Sequence, residues 1–199
     1  MSDVLKVINV DNSQCYVTTV QHIYNEHHVY LDESFGEPSY YRNVLDMLRE
    51  GTESDTFIFH LNTFGGRDDS GMALVRAIQN TNSDTIAIIE RNCMSMGALI
   101  AVSCKQLIVN KGANMMIHDV QFGTYGSGSN NKRYVDFIKR DSDILMRELF
   151  TNFLTEEEFD EIINNSSEIY LNDEEIIERW NRKVELDDEE YLDKEEDNG

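Results

Sequence analysis

Short apolar runs alternate with amphipathic segments along the middle of the chain. Residues 56–62 and 85–89 are almost continuously apolar, which is typical of strands buried on both faces of a parallel sheet. The segments that follow, residues 69–79 and 95–104, place apolar residues at helical spacing and predict helices. Strand and helix therefore alternate at short intervals, which predicts right-handed βαβ units and an α/β fold with a mostly parallel sheet.

The flanking segments predict further elements. Shorter patterns indicate strands at residues 28–31, 107–109 and 115–118, and helices from Glu37 to about Arg49 and from Asp173 to about Trp180. A glycine-rich hinge at residues 122–129 leads into a long helix that we expect to run from about residue 130 to 153. Thr155 and Glu158 have the spacing of a capping box, which predicts the start of another helix.

The chain has 199 residues, enough for one domain with a sizeable core. We expect an N-terminal arm at residues 1–27, a folded domain at 28–182 and a disordered acidic tail at 183–199. The formal net charge of −21 is uneven, because residues 155–199 carry −15 and residues 1–154 only −6. An acidic chain repels phosphate, which argues against nucleic acid and against anionic membrane surfaces as partners.

Cysteine and histidine usage narrows the class further. Cys15, Cys93 and Cys104 are an odd number without framework spacing, which argues against a secreted disulfide scaffold. No apolar run is long enough for a signal peptide or a membrane span, so we expect a cytoplasmic protein. No histidine has a second ligand at metal-binding spacing, so we expect neither a metal nor another cofactor.

Two short motifs could carry chemistry. The sequence Asn-Thr-Phe-Gly-Gly ends a buried strand, where open α/β sheets place ligands, and Gly65 and Gly66 allow close backbone approach. Ser95 opens an apolar helix within Met-Ser-Met-Gly-Ala, where free N–H groups and the helix dipole favour negative charge. His118 ends the strand after that helix, near the same edge of the sheet. Each motif alone is more typical of a turn, a helix cap or a surface histidine.

Taken in order, these motifs resemble the proteolytic subunit of the Clp protease. The matching features are the glycine turn, Met-Ser-Met-Gly-Ala, Met-Met-Ile-His and a glycine-rich hinge before a long helix, and they cover about residues 28–182. The resemblance implies a ClpP/crotonase-like spiral of βαβ units with a protruding handle helix. The chain departs from the family pattern at Phe64, where the family usually has proline, and at Asp119, where the family usually has glutamine.

The resemblance also implies roles for five residues. Ser95 matches the nucleophile, His118 the general base, and Gly65 and Met96 the backbone N–H donors of the oxyanion hole. Glu168 falls where the family has the aspartate of its catalytic triad. The implied reaction is acyl transfer, in which the histidine accepts the serine proton during attack on a peptide carbonyl.

The function implied is a serine endopeptidase that cleaves peptides or unfolded proteins inside a ring of identical subunits, with an ATP-dependent unfoldase as a candidate partner. Three alternatives stay open. The first is a catalytically weak or inactive subunit or scaffold that assembles with an active paralogue. The second is a capsid-maturation protease of the same fold, and the third is a crotonase-type acyl-CoA enzyme. The last gives no role to Ser95 and His118.

Overall fold

The computed structural model describes residues 24–196. Its strands are β1 Asn25–Leu31, β2 Asp55–Thr63, β3 Asp84–Met94, β4 Gln106–Val109, β5 Asn114–Ile117 and β6 Ile169–Asn172. Its helices are α1 Arg42–Glu50, after a 3₁₀ turn at Pro38–Tyr41, α2 Asp68–Asn80, α3 Met96–Ser103, α4 Gly128–Phe150, α5 Glu156–Asn165 and α6 Asp173–Glu196. None of the helices in this part of the chain is long and apolar enough to cross a membrane.

Six strands form one mixed sheet in the order β1-β2-β3-β5-β6, and β4 also pairs with β3. The strands β1 to β5 pair in parallel, whereas β6 runs antiparallel to β5. The long strand β3 serves two partners, because its first half pairs with β4 and its last three residues pair with β5. The α/β fold predicted from alternating strand and helix patterns is confirmed.

Helix α3 packs on strands β2, β3 and β5, and helix α6 packs on β4, β5 and β6. Alternate residues of β2, namely Phe57, Phe59 and Leu61, are buried against the helices. Helix α3 is buried from Met96 to Val102, because it lies among β2, β3, β5, α2 and α4. A helix without a polar face needs such enclosure, and the enclosure fixes the N-terminus of α3 in the protein interior.

Strand β3 extends farther than the apolar run at residues 85–89 predicts. It continues through the polar residues Glu90 to Asn92 and ends at Met94. Here Glu90 and Arg91 are exposed, so polar side chains do not interrupt the strand, and the residues after them pair with β5. This extension carries the end of β3 to the position where α3 begins.

The predicted N-terminal arm and C-terminal tail both contain regular secondary structure in the part that the structure describes. The prediction of a disordered tail from residue 183 is wrong for residues 183–196, because α6 continues to Glu196. An i,i+4 ion pair at 2.6 Å joins Lys183 to Asp187, and Asn152 also donates a hydrogen bond to Asp187. Glutamate is a good helix former, so acidic composition alone does not end a helix. Of the predicted arm, residues 25–27 lie in β1 and residues 1–23 lie outside the described residues.

Candidate active site

Ser95 occupies the sharp turn between β3 and α3. Its backbone has φ 54° and ψ −117°, a positive-φ conformation outside the left-handed helical region that is uncommon for a residue with a side chain. The Ser95 N–H donates a 2.8 Å hydrogen bond to the Met116 carbonyl of β5, which ties the turn to the neighbouring strand. Such strain is kept when the surrounding structure determines it, and it presents the hydroxyl above the sheet edge.

His118 follows directly after β5 and reaches the same point. Its Nε2 atom lies 2.8 Å from Ser95 Oγ, which is hydrogen-bond distance, and the pair is partly buried. In the tautomer with the proton on Nδ1, Nε2 accepts the proton of the serine hydroxyl. The structure therefore joins the two motif residues that lie 23 positions apart in the sequence.

Glu168 lies in the same cleft but is bonded elsewhere. The last antiparallel pair of β5 and β6 is Ile117 with Ile169, and His118 and Glu168 are the residues that directly adjoin this pair. The Glu168 carboxylate, however, accepts a 2.5 Å hydrogen bond from the Tyr170 hydroxyl, which raises the pKa of Tyr170. Among the described residues, the Ser95 contact is the one hydrogen bond of the His118 ring. The arrangement is a serine–histidine dyad with a carboxylate facing it.

The glycine turn places a different N–H group toward the cleft from the one expected. The Gly65 N–H donates to the Thr63 hydroxyl at 3.1 Å, so it is already occupied. No acceptor within residues 24–196 contacts the N–H of Gly66, which lines the cleft together with Met96. Met96 is the first residue of α3, where backbone N–H groups have no partner within the helix. The two open donors are therefore those of Gly66 and Met96, and the expectation for Gly65 is wrong.

Close packing explains why this turn contains glycine. Gly65 has φ +93°, and a Cβ atom there would lie 2.7 Å from Ser95 Cβ and 3.2 Å from the Met96 nitrogen. Both the backbone conformation and the lack of space exclude a larger residue without a shift. The turn therefore touches the serine and the start of α3 directly.

These groups surround a cleft of about 510 Å³. Apolar residues line much of it, including Phe64, Leu99, Met116, Leu145 and Met146. Its size and its mixed polar and apolar lining are those of a ligand-binding cleft. A hydroxyl, an imidazole and open N–H donors at its base are the groups that acyl transfer requires.

Acidic groups line the rim of the cleft. Partial burial raises the pKa of Asp68, and the neighbouring Asp69 and Asp141 raise it further. The one guanidinium in the lining, that of Arg67, is paired with Asp69 at 2.6 Å and with Glu37 at 3.1 Å. The rim therefore has a net negative charge.

Asp119, the residue after the histidine, is tied to α4. Its Oδ1 atom accepts a 3.2 Å hydrogen bond from the Ser142 hydroxyl and a 2.7 Å bond from the Val120 N–H. Burial raises the pKa of the nearby Asp143, and the charge of Asp119 raises it further. The carboxylate next to His118 thus connects the site to the long helix.

Within residues 24–196, the cysteines and the metal-ligating side chains form no competing site. Cys93 and Cys104 are buried, and burial raises the pKa of both thiols far above the usual range. No cluster of three or more histidine, cysteine or acidic residues in the described ranges has the geometry to hold a metal ion. His60 bonds to His28 and Glu90 on the sheet, and His22 lies outside the described residues.

Two contributors were missed by sequence reasoning. Thr63 binds the Gly65 N–H, and Tyr170 binds the Glu168 carboxylate. A threonine two residues before a glycine is a known pattern for a side-chain-closed turn, and it was a usable signal. Glu168 directly precedes β6 and lies two residues before Tyr170, a spacing that places two side chains on one face of an extended segment.

The fold and the site define a class of protein with a strained serine, a histidine and a glycine turn on a βαβ core. The sequence profile of the Clp protease family matches residues 11–178, most of the chain. The chain therefore belongs to the Clp protease family, as the motifs predict. No curated protein matches the chain.

Proposed function

We propose that the chain is a serine endopeptidase in which Ser95 is the nucleophile and His118 the general base. The observation that supports it most is the 2.8 Å contact between His118 Nε2 and Ser95 Oγ inside a cleft. The Ser95 oxygen attacks the peptide carbonyl carbon while its proton passes to Nε2. His118 then gives that proton to the leaving amine, and the acyl group stays on Ser95 until water hydrolyses it.

The oxyanion of the tetrahedral intermediate is stabilised by the N–H groups of Gly66 and Met96 in this proposal. Both lie at the base of the cleft, and the positive end of the α3 dipole acts in the same direction. Loss of one such donor typically lowers turnover by about 100- to 1000-fold. The Met96 donor is a backbone N–H, so a variant such as Met96→Ala keeps it and serves as a control for loss of the side chain alone.

Glu168 is proposed as the third member of the catalytic triad. It acts when its carboxylate exchanges the Tyr170 hydroxyl for His118. His118 and Glu168 directly adjoin the last β5–β6 pair, Ile117 with Ile169, and both line the cleft, which supports a contact between them. In that contact the carboxylate holds the Nδ1 proton and stabilises the imidazolium formed during attack. The resting dyad is the less active arrangement.

The working form is proposed to be a ring of identical subunits in the cytoplasm, acting on peptides or unfolded proteins. Helix α4 exposes apolar side chains along its length, at Tyr134, Phe137 and Ile144, which fits a contact surface. Enclosure would restrict an open cleft to extended chains. Whether an ATP-dependent unfoldase delivers them is tested by adding one to the assembled protein.

Hydrolysis of short fluorogenic peptides by the purified assembly tests the endopeptidase proposal. We expect turnover by the wild type, and loss of turnover in Ser95→Ala and His118→Ala with assembly retained by native mass spectrometry. Turnover that survives in Ser95→Ala would contradict the role of Ser95.

A second candidate function has its own supporting observation. The Glu168 carboxylate is bonded to Tyr170 rather than to His118, as expected for a weak or inactive subunit. That function predicts assembly without turnover by the pure protein, and turnover only after an active paralogue is added. Robust hydrolysis by the pure protein would exclude it.

A further inference from the structure

We propose that the Thr63 hydroxyl is a positioning group that orients the oxyanion donor of Gly66. The inference rests on the proposed endopeptidase function and deepens it. Thr63 touches no reacting atom, so its role is to act through the glycine turn. Its test therefore includes a readout that does not depend on catalysis.

The Thr63 side chain is enclosed and fully hydrogen-bonded. It is 1% exposed at the end of β2, where the pairing register with β3 shifts. Its hydroxyl donates to the Glu33 carbonyl at 2.7 Å and accepts from the Gly65 N–H at 3.1 Å. One oxygen thus joins the segment after β1 to the glycine turn.

The same segment makes a second connection to the turn. The Phe35 N–H donates to the Gly65 carbonyl at 2.8 Å, and the Arg67 N–H donates to the Phe35 carbonyl at 3.1 Å. The carbonyl of Gly65 and the N–H of Gly66 belong to one planar trans peptide, so they point in opposite directions. Fixing that carbonyl on Phe35 therefore directs the Gly66 N–H away from the segment and into the cleft.

Neither bond alone determines this orientation. A glycine peptide has unusual rotational freedom, and the flanking residue Phe64 is 71% exposed. The Thr63 hydroxyl holds the peptide before Gly65, and Phe35 holds the peptide after it. Because both peptides that flank Gly65 are fixed by hydrogen bonds, its positive-φ conformation is fixed as well.

The Thr63 methyl group connects the turn to α3. A Cβ atom at Gly97 would lie 2.8 Å from Thr63 Cγ2, so the two residues are in close contact. Gly97 follows Met96, whose N–H is the second proposed donor. Thr63 therefore fixes the turn with its hydroxyl and contacts the neighbouring helix start with its methyl group.

Two substitutions separate these contributions. Thr63→Val keeps the shape and the methyl contact but removes both hydrogen bonds, whereas Thr63→Ser keeps the hydroxyl and removes the methyl group. We expect Thr63→Val to lower kcat on a fluorogenic peptide by about 10- to 100-fold, with KM within about threefold of wild type, because a donor is misdirected rather than lost. Thr63→Ser is expected to stay within about threefold of wild type in both constants.

Hydrogen–deuterium exchange provides the readout that is independent of turnover. In a peptic fragment covering residues 62–67, we expect the Gly65 amide to exchange at least about tenfold faster in Thr63→Val than in wild type or Thr63→Ser. Equal exchange and equal kcat in Thr63→Val would overturn the inference, as would an equal loss in both variants. If wild type itself hydrolyses nothing, the proposed function fails, and the exchange rates still decide whether Thr63 anchors the turn.

Discussion

The contact between Gly71 of α2 and Met96 offers a strong test of how the oxyanion donor is held. A Cβ atom at position 71 would lie 2.1 Å from both Cγ and Sδ of Met96, far inside van der Waals contact. Met96 also lines the cleft, but the overlap includes Cγ, which is only two bonds from Cα, so its relief requires another Met96 rotamer or a shift of the backbone. We expect Gly71→Ala to push Met96 and to displace the first turn of α3, which carries the Met96 N–H.

Two opposing contributions set the size of the effect on stability. Alanine stabilises a helix interior by about 1 kcal/mol relative to glycine. Overpacking of a close-packed core costs about 1–3 kcal/mol. We therefore expect Gly71→Ala to lower the free energy of unfolding by about 0–2 kcal/mol. Since small misplacements of a catalytic group are costly, we expect kcat to fall by about tenfold or more.

Met96→Ala supplies the matched control, because it removes the side chain and keeps the N–H. In that background the overlap is gone, so Gly71→Ala should become stabilising by about 1 kcal/mol. The double-mutant cycle, measured by urea denaturation and peptide hydrolysis, should then give a coupling energy of about 1–3 kcal/mol. Additive effects on stability, together with an unchanged kcat in Gly71→Ala, would refute the reasoning.

Three further predictions follow from other contacts. Tyr170→Phe should raise kcat because it frees Glu168 for His118, and Glu168→Gln should abolish that gain; an unchanged kcat in Tyr170→Phe would contradict the proposed exchange of partners. Thr155→Ala removes a capping box and should lower the free energy of unfolding by about 1 kcal/mol by urea denaturation, whereas Thr155→Ser should restore it. The hydrogen bond from Arg179 lowers the pKa of Glu158, so this group stabilises the fold above its unfolded pKa, near 4.5, and the contribution is lost as pH falls through the lowered value. Glu158→Gln should therefore weaken the dependence of unfolding on pH in that acidic range, and an identical dependence would contradict the pairing.

The central strands and helices could be predicted because their sequences are locally unambiguous. The apolar run at residues 56–62 is too short for a helix and too continuous for a surface strand, and it forms the interior of β2. The length of helix α6 could not be predicted, because its sequence is locally ambiguous. Its acids suggest disorder when counted, but Lys183 pairs with Asp187 at i,i+4 spacing, and Arg182 binds the carbonyl oxygens of Asn152 and Phe153, a contact that only the packed structure reveals.

The sequence predicts which residues belong to the site, but it does not predict most of the hydrogen bonds between them. The motif order identifies Ser95 and His118, because strand ends on one edge of a parallel sheet meet in space. The choice between the N–H groups of Gly65 and Gly66 depends on which one the Thr63 hydroxyl binds; the Thr-x-Gly spacing indicates this bond to Gly65, but the orientation of the Gly66 peptide depends on Phe35, which is distant in the sequence. The partner of Glu168 depends on side-chain rotamers on β6, which sequence spacing limits to one face but does not select.

Covalent labelling of the assembled protein by a fluorophosphonate, read by intact mass spectrometry, tests the central claim most directly. Such reagents react with a serine hydroxyl that a neighbouring base activates. We expect one adduct per wild-type chain, located on Ser95, with slower labelling in His118→Ala and none in Ser95→Ala. An unlabelled wild-type assembly, or equal labelling of Ser95→Ala, would contradict an activated serine in this cleft.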